Sequence, residues 1–225
     1  MRIIKKPEIR KQEIMDKAQL LFYKFGYENT SVNLIISELG ISKGGFYHYF
    51  NSKMQLLDAI SERFVKHTLK SIIPIVENPE LNALQKLNLW FSTVSSIKTN
   101  QINLMQVFAN VIYSDKNLIS KANLKKKWIE LISPIFSKVI MQGCQERLFN
   151  PKFPKETGEI LIRIGMTLHE SLAGKFERLM KTRDPASLLR LIKIYENIYE
   201  RILGLKQGSL QFVNQDFINK LIGKS

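Results

Sequence analysis

Residues 30 to 53 read TSVNLIISELGISKGGFYHYFNSK, and this stretch decides the fold of the N-terminal region. Its first apolar residues are spaced i, i+3, i+4 and i+7, which predicts one buried face on a helix of about nine residues. That face consists of Val32, Ile35, Ile36 and Leu39. Gly40 follows as a C-cap, since glycine readily adopts the left-handed conformation that ends a helix, and Ser42 then opens a second helix.

The second helix has one apolar and one polar side. Phe46 and Phe50 are four residues apart and are expected to point inward. The outer side is left to Lys43, Gly44, Gly45, Tyr47 and His48. Two helices joined by a short turn that contains glycine are typical of a helix-turn-helix unit, whose second helix enters the major groove of DNA.

A third helix is predicted directly after this pair. Asn51 or Ser52 is expected to cap it, with Gln55 completing a capping box to Ser52. Lys53 would then lie in the first helical turn, where phosphate groups bind favourably. A basic arm of Arg2, Lys5, Lys6, Arg10 and Lys11 precedes the unit. It follows the phosphate backbone, enters a minor groove, or is a solvated terminus without a DNA contact.

The order of these features resembles a known family. From Ile14 the chain reads IMDKAQLLFYKFGYENTSV, and from Leu39 it reads LGISKGGFYHYFNSKMQLLDAI. Over roughly residues 8 to 60 this is similar to the N-terminal domain of TetR/AcrR-type bacterial transcriptional regulators. The residues that carry the resemblance are Phe22, Gly26, Tyr27, Thr30, Ser31, Gly40, Ser42, Gly44, Tyr47, Phe50, Lys53 and Leu56.

The resemblance implies roles for individual residues of the helix-turn-helix domain, residues 1–53, which we call the head. Tyr47 and Lys53 would hold phosphates, with further backbone contacts from Thr30, Ser31, His48 and Tyr49. Base reading would fall to Lys43, Gly44 and Asn33. Gly45 belongs to the same surface but departs from the family, because relatives usually have Ser or Thr at this position. The departure removes one expected hydroxyl donor.

The whole chain is predicted to be all-α, with about nine to ten helices in two domains. Residues 1–53 form the helix-turn-helix domain, and residues 54–225 form a ligand-binding and dimerisation domain joined to it by a linker helix. The expected helices span 9–25, 53 to about Pro74, 79–97 after an Asn78 cap, 103–112, 117–148 with Pro134 inside, 155–180, 185–203 after an Asp184 cap, and 210–221. Within the first helix, Ile14, Ala18, Leu21, Phe22 and Phe25 are expected to be buried.

The last two long helices carry apolar residues on more than one face, which is consistent with either intramolecular packing or a partner subunit. The family resemblance implies the second, a two-fold homodimer built on a four-helix bundle. The predicted interface residues are Gly165, Leu168, Leu172, Phe176, Leu188, Leu191, Tyr195, Ile198 and Ile202.

An effector pocket is implied only by the resemblance. Its candidate lining residues come from helices between the head and the dimer pair, and the alternative for each is ordinary core packing. They are Trp90, Phe91, Met105, Phe108, Tyr113, Trp128, Phe136 and Met141. Ligand pockets are mostly apolar with few polar groups, and the sequence does not name the ligand.

Composition narrows the class of protein. The formal net charge is +14, but residues 1–53 carry nine Lys or Arg against five Asp or Glu, so most of the excess lies outside the head. The single cysteine, Cys144, excludes an internal disulfide and suits a reducing cytoplasm. No apolar run approaches the length of a membrane span. His48, His67 and His169 are scattered and form no metal or catalytic motif, so an enzyme, a metal site and a cofactor are not expected.

The sequence therefore predicts a cytoplasmic, ligand-responsive regulator that binds double-stranded operator DNA as a homodimer. The default mode is a repressor that a small, largely apolar effector releases from a palindromic operator. The alternative is a basic DNA-associated protein without sequence preference or effector. Competition with random DNA separates the two, because only sequence-specific binding survives it.

Overall fold

The computed structural model describes residues 6–101, 103–105, 107–108, 118–182 and 186–213. Its helices are α1 (Pro7–Phe25), α2 (Val32–Leu39), α3 (Lys43–Tyr47), α4 (Lys53–Glu77), α5 (Ala83–Asn100), α6 (Leu118–Gln145), α7 (Pro154–Thr182) and α8 (Ala186–Leu203). Residues 103–105 and 107–108 are also helical, and the described part of the chain contains no strand. The all-α prediction is confirmed.

The chain divides into two compact units. The first contains Met1–Phe64 and Asn103–Leu124, and the second contains Val65–Ile102 and Lys125–Ser225. Helix α4 supplies residues to both. The functional boundary between residues 53 and 54 stays a prediction, because these units are defined by packing alone.

The core of the first unit forms around one face of α1. Ile14, Ala18, Leu21 and Phe22 are buried on that face, as their spacing predicts. Phe25 was expected among them, but its side chain is 43% exposed. It is the last residue of α1, and the chain leaves the helix at Gly26, so Phe25 has no following turn to cover it.

Helix α4 extends beyond its predicted end. Pro74 lies inside the helix, which continues to Glu77. A proline removes one backbone donor and leaves the carbonyl four residues earlier, that of Lys70, without its helical partner. Lys70, Ser71, Ile73 and Pro74 are all exposed, so water can solvate that carbonyl and the helix tolerates the proline.

The start of α5 also differs from the prediction. Asn78 does not cap a helix; its side chain accepts from the backbone N–H of Glu80 in a turn. The helix begins at Ala83 and is capped by Asn82, which forms a reciprocal capping box with Gln85. Asn82 is the stronger cap because Gln85, three residues later, returns a hydrogen bond to its backbone.

Aromatic rings fill the core of the second unit. The Trp90 and Phe136 rings meet edge to face at 5.1 Å, and Phe91 stacks on Phe212 at 4.1 Å. Tyr199 lies edge-on to both Phe91 and Phe212 and donates its hydroxyl to the backbone carbonyl of Leu161. Burial raises the pKa of Tyr199, so the phenol stays protonated as a donor.

Residues 209–213, which we call the strap, follow α8 and contradict the predicted helix from residue 210. The N–H of Ser209 donates to the Lys206 carbonyl, whereas the backbone groups described next bond to side chains. The N–H groups of Leu210 and Phe212 donate to Glu200 and Glu196 of α8, at 3.0 and 2.8 Å. Asn88 of α5 holds the opposite edge through Ser209 O and Gln211 N. Residues 214–221 of the predicted helix and the predicted Asp184 cap lie outside the described residues.

Candidate functional site

The helix-turn-helix geometry follows from three local signals. Ser31 caps α2, with its hydroxyl oxygen accepting from Leu34 N at 3.1 Å, and Gly40 ends the helix in the left-handed conformation with φ +60°. Ser42 caps α3 by accepting from Gly45 N at 3.1 Å. The predicted cap and break residues therefore set the turn between the two helices.

Helix α3 presents the two sides that the sequence predicts. Phe46 and Phe50 are 0% and 1% exposed and anchor it to the first unit. Lys43, Gly44, Tyr47 and His48 are exposed, whereas Gly45 and Tyr49 are half-buried. Asn33 and Ser31 are exposed on α2 and at its cap. The structure therefore keeps these predicted DNA-facing residues on or near the surface of a helix that is fixed from behind.

Thr30 is the exception among the predicted DNA contacts. Its side chain is 0% exposed, and its hydroxyl oxygen lies 2.8 Å from the Gly26 carbonyl and 3.2 Å from the Leu21 carbonyl, to which it donates. This hydroxyl ties the end of α1 to the start of α2. The expectation that the Thr30 side chain contacts a phosphate is wrong, because it is committed to the interior.

Lys53 has partners within the head. Its ammonium donates to the backbone carbonyls of Tyr27 and Glu28, at 2.6 and 3.3 Å, and lies 4.3 Å from the centre of the Tyr27 ring. Burial lowers the pKa of Lys53, while the nearby Glu28 opposes that shift. Sequence reasoning missed this arrangement, although the Gly26-Tyr27 pair was part of the resemblance. In this structure Lys53 fixes the turn between α1 and α2.

The start of α4 is capped almost as predicted. The Ser52 hydroxyl accepts from Gln55 N at 3.0 Å, but the Gln55 side chain accepts from the N–H of Asn51 rather than from that of Ser52. Further along α4, Arg63 donates to Gln12 and Asp16 of α1, at 2.7 Å each. These contacts fix α4 against α1 within the first unit.

The two glycines of α3 have different surroundings. A methyl group built on Gly44 would meet nothing within 4 Å, whereas one on Gly45 would lie 3.2 Å from the Ser42 hydroxyl oxygen that caps the helix. Neither glycine has a positive φ. Gly44 is therefore a gap on the outer surface, and a side chain at position 45 would press on the cap.

The candidate effector residues belong to two different units. Phe108 packs edge to face against Phe64 in the first unit, to which Met105 also belongs. Trp90, Phe91 and Phe136 form the aromatic core of the second unit, as described above. Trp128 is half-buried, Met141 is 37% exposed, and Tyr113 lies outside the described residues. Their role in a ligand pocket stays a prediction.

An open groove of about 470 Å³ lies between α1 and α2. Its lining residues are Arg10, Glu13, Asp16, Lys17, Leu20, Glu38 and Leu39, so none of the candidate effector residues contributes to it.

The predicted dimer residues separate into buried and half-buried sets. Leu168 and Leu188 are 6% and 4% exposed within one protomer, and the backbone of Gly165 lies close to the Tyr199 hydroxyl. Leu168 and Leu188 therefore pack within one protomer, which corrects their assignment to an interface, whereas half-buried Gly165 stays a predicted interface residue. Half-buried side chains remain at Leu191, Tyr195, Ile198 and Ile202, while those of Leu172 and Phe176 lie outside the described residues.

The described residues contain no group of three or more His, Cys, Asp or Glu side chains that could hold a metal ion. Among the same residues, no helix combines the length and the apolar character needed to cross a membrane.

Helix α2 is capped and ends in a glycine turn, and α3 follows it as a short exposed helix with aromatic side chains buried behind it. This arrangement defines a helix-turn-helix protein. Residues 14–60 match the family model described as "Bacterial regulatory proteins, tetR family". Residues 14–60 therefore carry the N-terminal domain of this family, and the chain is similar to TetR/AcrR-type transcriptional regulators. The family is one of regulators rather than enzymes.

Individual proteins are similar to the chain in part of its sequence or in its fold. An uncharacterised HTH-type transcriptional regulator of Lactococcus lactis is 36% identical over 86 residues, which is 36% of this chain and 44% of the relative. The chain thus spans less than half the length of that relative. A putative TetR-family regulator from Syntrophomonas wolfei has a similar fold, with a TM-score of 0.67 at 18% identity over 86% of this chain and 96% of the other. The regulator FadR of Bacillus subtilis, solved with stearoyl-CoA, has a TM-score of 0.61 at 17% identity, covering 85% and 97%.

Proposed function

We propose that the protein is a sequence-specific regulator that inserts α3 into the major groove of operator DNA. The observation that carries this proposal is the arrangement around α3, where Phe46 of the helix and Phe50, three residues after its end, are buried behind an exposed outer side. A five-residue helix supplies few base contacts, so two copies about one DNA turn, or a multiple of it, apart would be needed for useful affinity.

Within this proposal the head residues have two kinds of role. Tyr47 and Lys53 hold phosphates, supported by Ser31, His48 and Tyr49, and these contacts set register without reading sequence. Lys43, Gly44 and Asn33 read bases, because a lysine ammonium suits guanine acceptors and an exposed glycine admits close approach. The Lys53 ammonium would exchange its Tyr27 or Glu28 carbonyl for a phosphate, a stronger charge-assisted partner.

The proposed homodimer uses the side of α8 that the protomer's own core covers only in part. Half-buried Leu191, Tyr195, Ile198 and Ile202 lie beside Ile194, which is 47% exposed. An apolar strip of this kind is typical of a helix that packs against a second copy. Light scattering at micromolar protein tests it, and a monomer would contradict it.

The proposed signal is a small, largely apolar effector that lowers the affinity of the protein for its operator. We expect the protein to bind its operator in the cytoplasm. The likeness in fold to FadR of Bacillus subtilis, solved with stearoyl-CoA, supports a ligand-bearing second unit. Helix α4 supplies residues to both units, so a ligand that prefers one packing of the second unit can shift the position of the heads.

The first experiment is to select bound fragments from the source genome and to repeat binding with excess random DNA. Retention of particular fragments supports the proposal. Equal loss of all fragments would favour the nonspecific DNA-associated alternative.

Two lysine variants then test the proposed roles. Lys43→Ala should relax base preference, whereas Lys53→Ala should weaken operator and random DNA about equally and lower the salt dependence. Lys70→Ala, an exposed change on α4 beyond the head, is the matched control. Because Lys53 also fixes the α1–α2 turn, its variant needs a parallel stability measurement. Loss of preference at a single base pair would contradict the phosphate role.

A further inference from the structure

Two serine hydroxyls inside the second unit are buried without a hydrogen-bond partner among the described residues. Ser95 of α5 and Ser133 of α6 are 5% and 7% exposed, and within the described part of the chain neither hydroxyl has a hydrogen-bond partner. A helical Ser or Thr normally donates to a carbonyl of the preceding turn. Ser92, Thr99 and Thr167 do so in this protein.

Contacts between α5 and α6 place the two hydroxyls at a similar level. The helices run antiparallel, because Lys86 bonds to Gln142 at 2.8 Å while the Trp90 ring meets the Phe136 ring at 5.1 Å. Beyond that ring pair, Ser95 is five residues further along α5 and Ser133 is three residues back along α6. At 1.5 Å per residue these are displacements of about 7.5 and 4.5 Å in the same direction. Both hydroxyls therefore lie about one turn beyond the aromatic core.

A positive group lies close by in sequence on the same helix. Lys98 follows Ser95 by three residues and Val94 by four, so it shares the helix face that Val94 packs against the core. Burial lowers the pKa of Lys98 to about 7. Two unbonded hydroxyl donors beside an aromatic core, with an ammonium on the same helix as one of them, are unusual because a protein interior leaves few polar groups unbonded.

We propose that Ser95 and Ser133 bind the carboxylate of an apolar monocarboxylate, with Lys98 supplying the positive charge and the apolar chain lying against the adjacent aromatic core. A carboxylate accepts through two oxygens and donates nothing, which matches two hydroxyl donors and an ammonium. A ketone or ether has only one acceptor oxygen for the same donors. This inference rests on the proposed function, since it names the chemistry of the effector.

The test is calorimetric titration of the full-length protein with decanoate. Decanoate should bind the unaltered protein, and Ser95→Ala and Ser133→Ala should each weaken it about tenfold, the usual effect of losing one hydrogen bond to a charged group. Ser92→Ala is the matched control, because its hydroxyl bonds to Leu89 O on the same helix, and it should change affinity less than twofold. Decan-1-ol, which lacks the carboxylate, should bind at least about tenfold more weakly than decanoate.

Two results would overturn the site. The first is that the unaltered protein does not bind decanoate at 1 mM, a concentration that corresponds to a binding free energy of only about −4 kcal/mol. The second is that decanoate binds the unaltered protein and both serine variants with equal affinity. Operator binding measured on the same preparations separates this failure from failure of the proposed function. Preference for operator over random DNA without decanoate binding would remove the site alone. Serine-dependent decanoate binding without operator preference would remove the DNA-binding proposal alone.

Discussion

Replacing Gly44 by alanine tests the stability of helix α3 separately from its contact with DNA. A methyl group at this position meets nothing within 4 Å, so the free protein accommodates it without strain. Alanine is favoured over glycine in a helix by about 0.5–1 kcal/mol, chiefly because glycine loses more backbone entropy on folding. The substitution should therefore stabilise α3 by about that amount.

The expected effect on DNA has the opposite sign. If the gap at Gly44 lies where a base edge approaches the backbone, the added methyl group displaces α3 and removes at least one base contact. Such a contact is worth about 1–3 kcal/mol, so operator affinity should fall by at least about fivefold while affinity for random DNA changes little.

Two assays on the full-length protein measure these effects. Amide hydrogen exchange of His48 and Phe50, whose N–H groups bond to Gly44 O and Phe46 O, should slow about two- to fivefold in Gly44→Ala. Fluorescence anisotropy with a selected operator fragment measures affinity. Gly45→Ala is the comparison, because its methyl group would lie 3.2 Å from the Ser42 cap and offset the helical gain. Unchanged or tighter operator binding by Gly44→Ala would refute the argument that DNA occupies this gap.

Three further predictions concern the second unit. Gly158→Ala should destabilise it by about 1–3 kcal/mol, because the added Cβ would lie 2.7 Å from the Ser137 backbone, and urea denaturation beside the exposed Glu156→Ala control measures this. Phe212→Ala should cost about 3 kcal/mol by removing the ring stacked on Phe91, whereas its neighbour Gln211→Ala, exposed in the strap, should cost little; equal losses would contradict the packing role. Lys98→Met should be most stabilising at or below pH 7 and progressively less so toward pH 10. Burial lowers the pKa of Lys98 in the folded protein to about 7, from an ordinary value of 10.5. Between these two pH values only the unfolded chain keeps the proton, so the stability of the unaltered protein rises with pH by up to about 1.4 kcal/mol per unit. Parallel pH profiles for Lys98→Met and the unaltered protein would contradict it.

The local signals of the head were readable from the sequence because each acts over a few residues. Ser31, Gly40 and Ser42 set the helix boundaries through their own side chains or backbone, and the spacing of Phe46 and Phe50 fixes which side of α3 is buried. Thr30 was misassigned because a hydroxyl can donate either to phosphate or to backbone. Only the positions of the Leu21 and Gly26 carbonyls decide between these partners.

The second unit was harder to predict because its decisive contacts join residues far apart in the chain. A terminal helix was expected from residue 210, since nothing local shows that the N–H groups of Leu210 and Phe212 are taken by Glu200 and Glu196. Leu168 and Leu188 have the spacing of an interface stripe, yet both are buried within one protomer. Periodicity identifies an apolar face without identifying its partner.

The strap and the buried acids of α8 depend on each other. A carboxylate inside a protein is costly unless it is hydrogen-bonded, and an extended backbone inside a protein is costly unless its N–H groups are satisfied. Glu196 and Glu200 lie one turn apart, while Leu210 and Phe212 lie two residues apart, so both spacings are about 6–7 Å and the groups can pair. Each element thereby reduces the other's desolvation cost, and Lys193 adds an ion pair to Glu196 at 2.6 Å. Together these contacts explain how 3% and 2% exposed glutamates persist in α8. The same hydrogen bonds direct the apolar side chains of Leu210 and Phe212 into the core. These polar contacts therefore set which strap residues pack against the core.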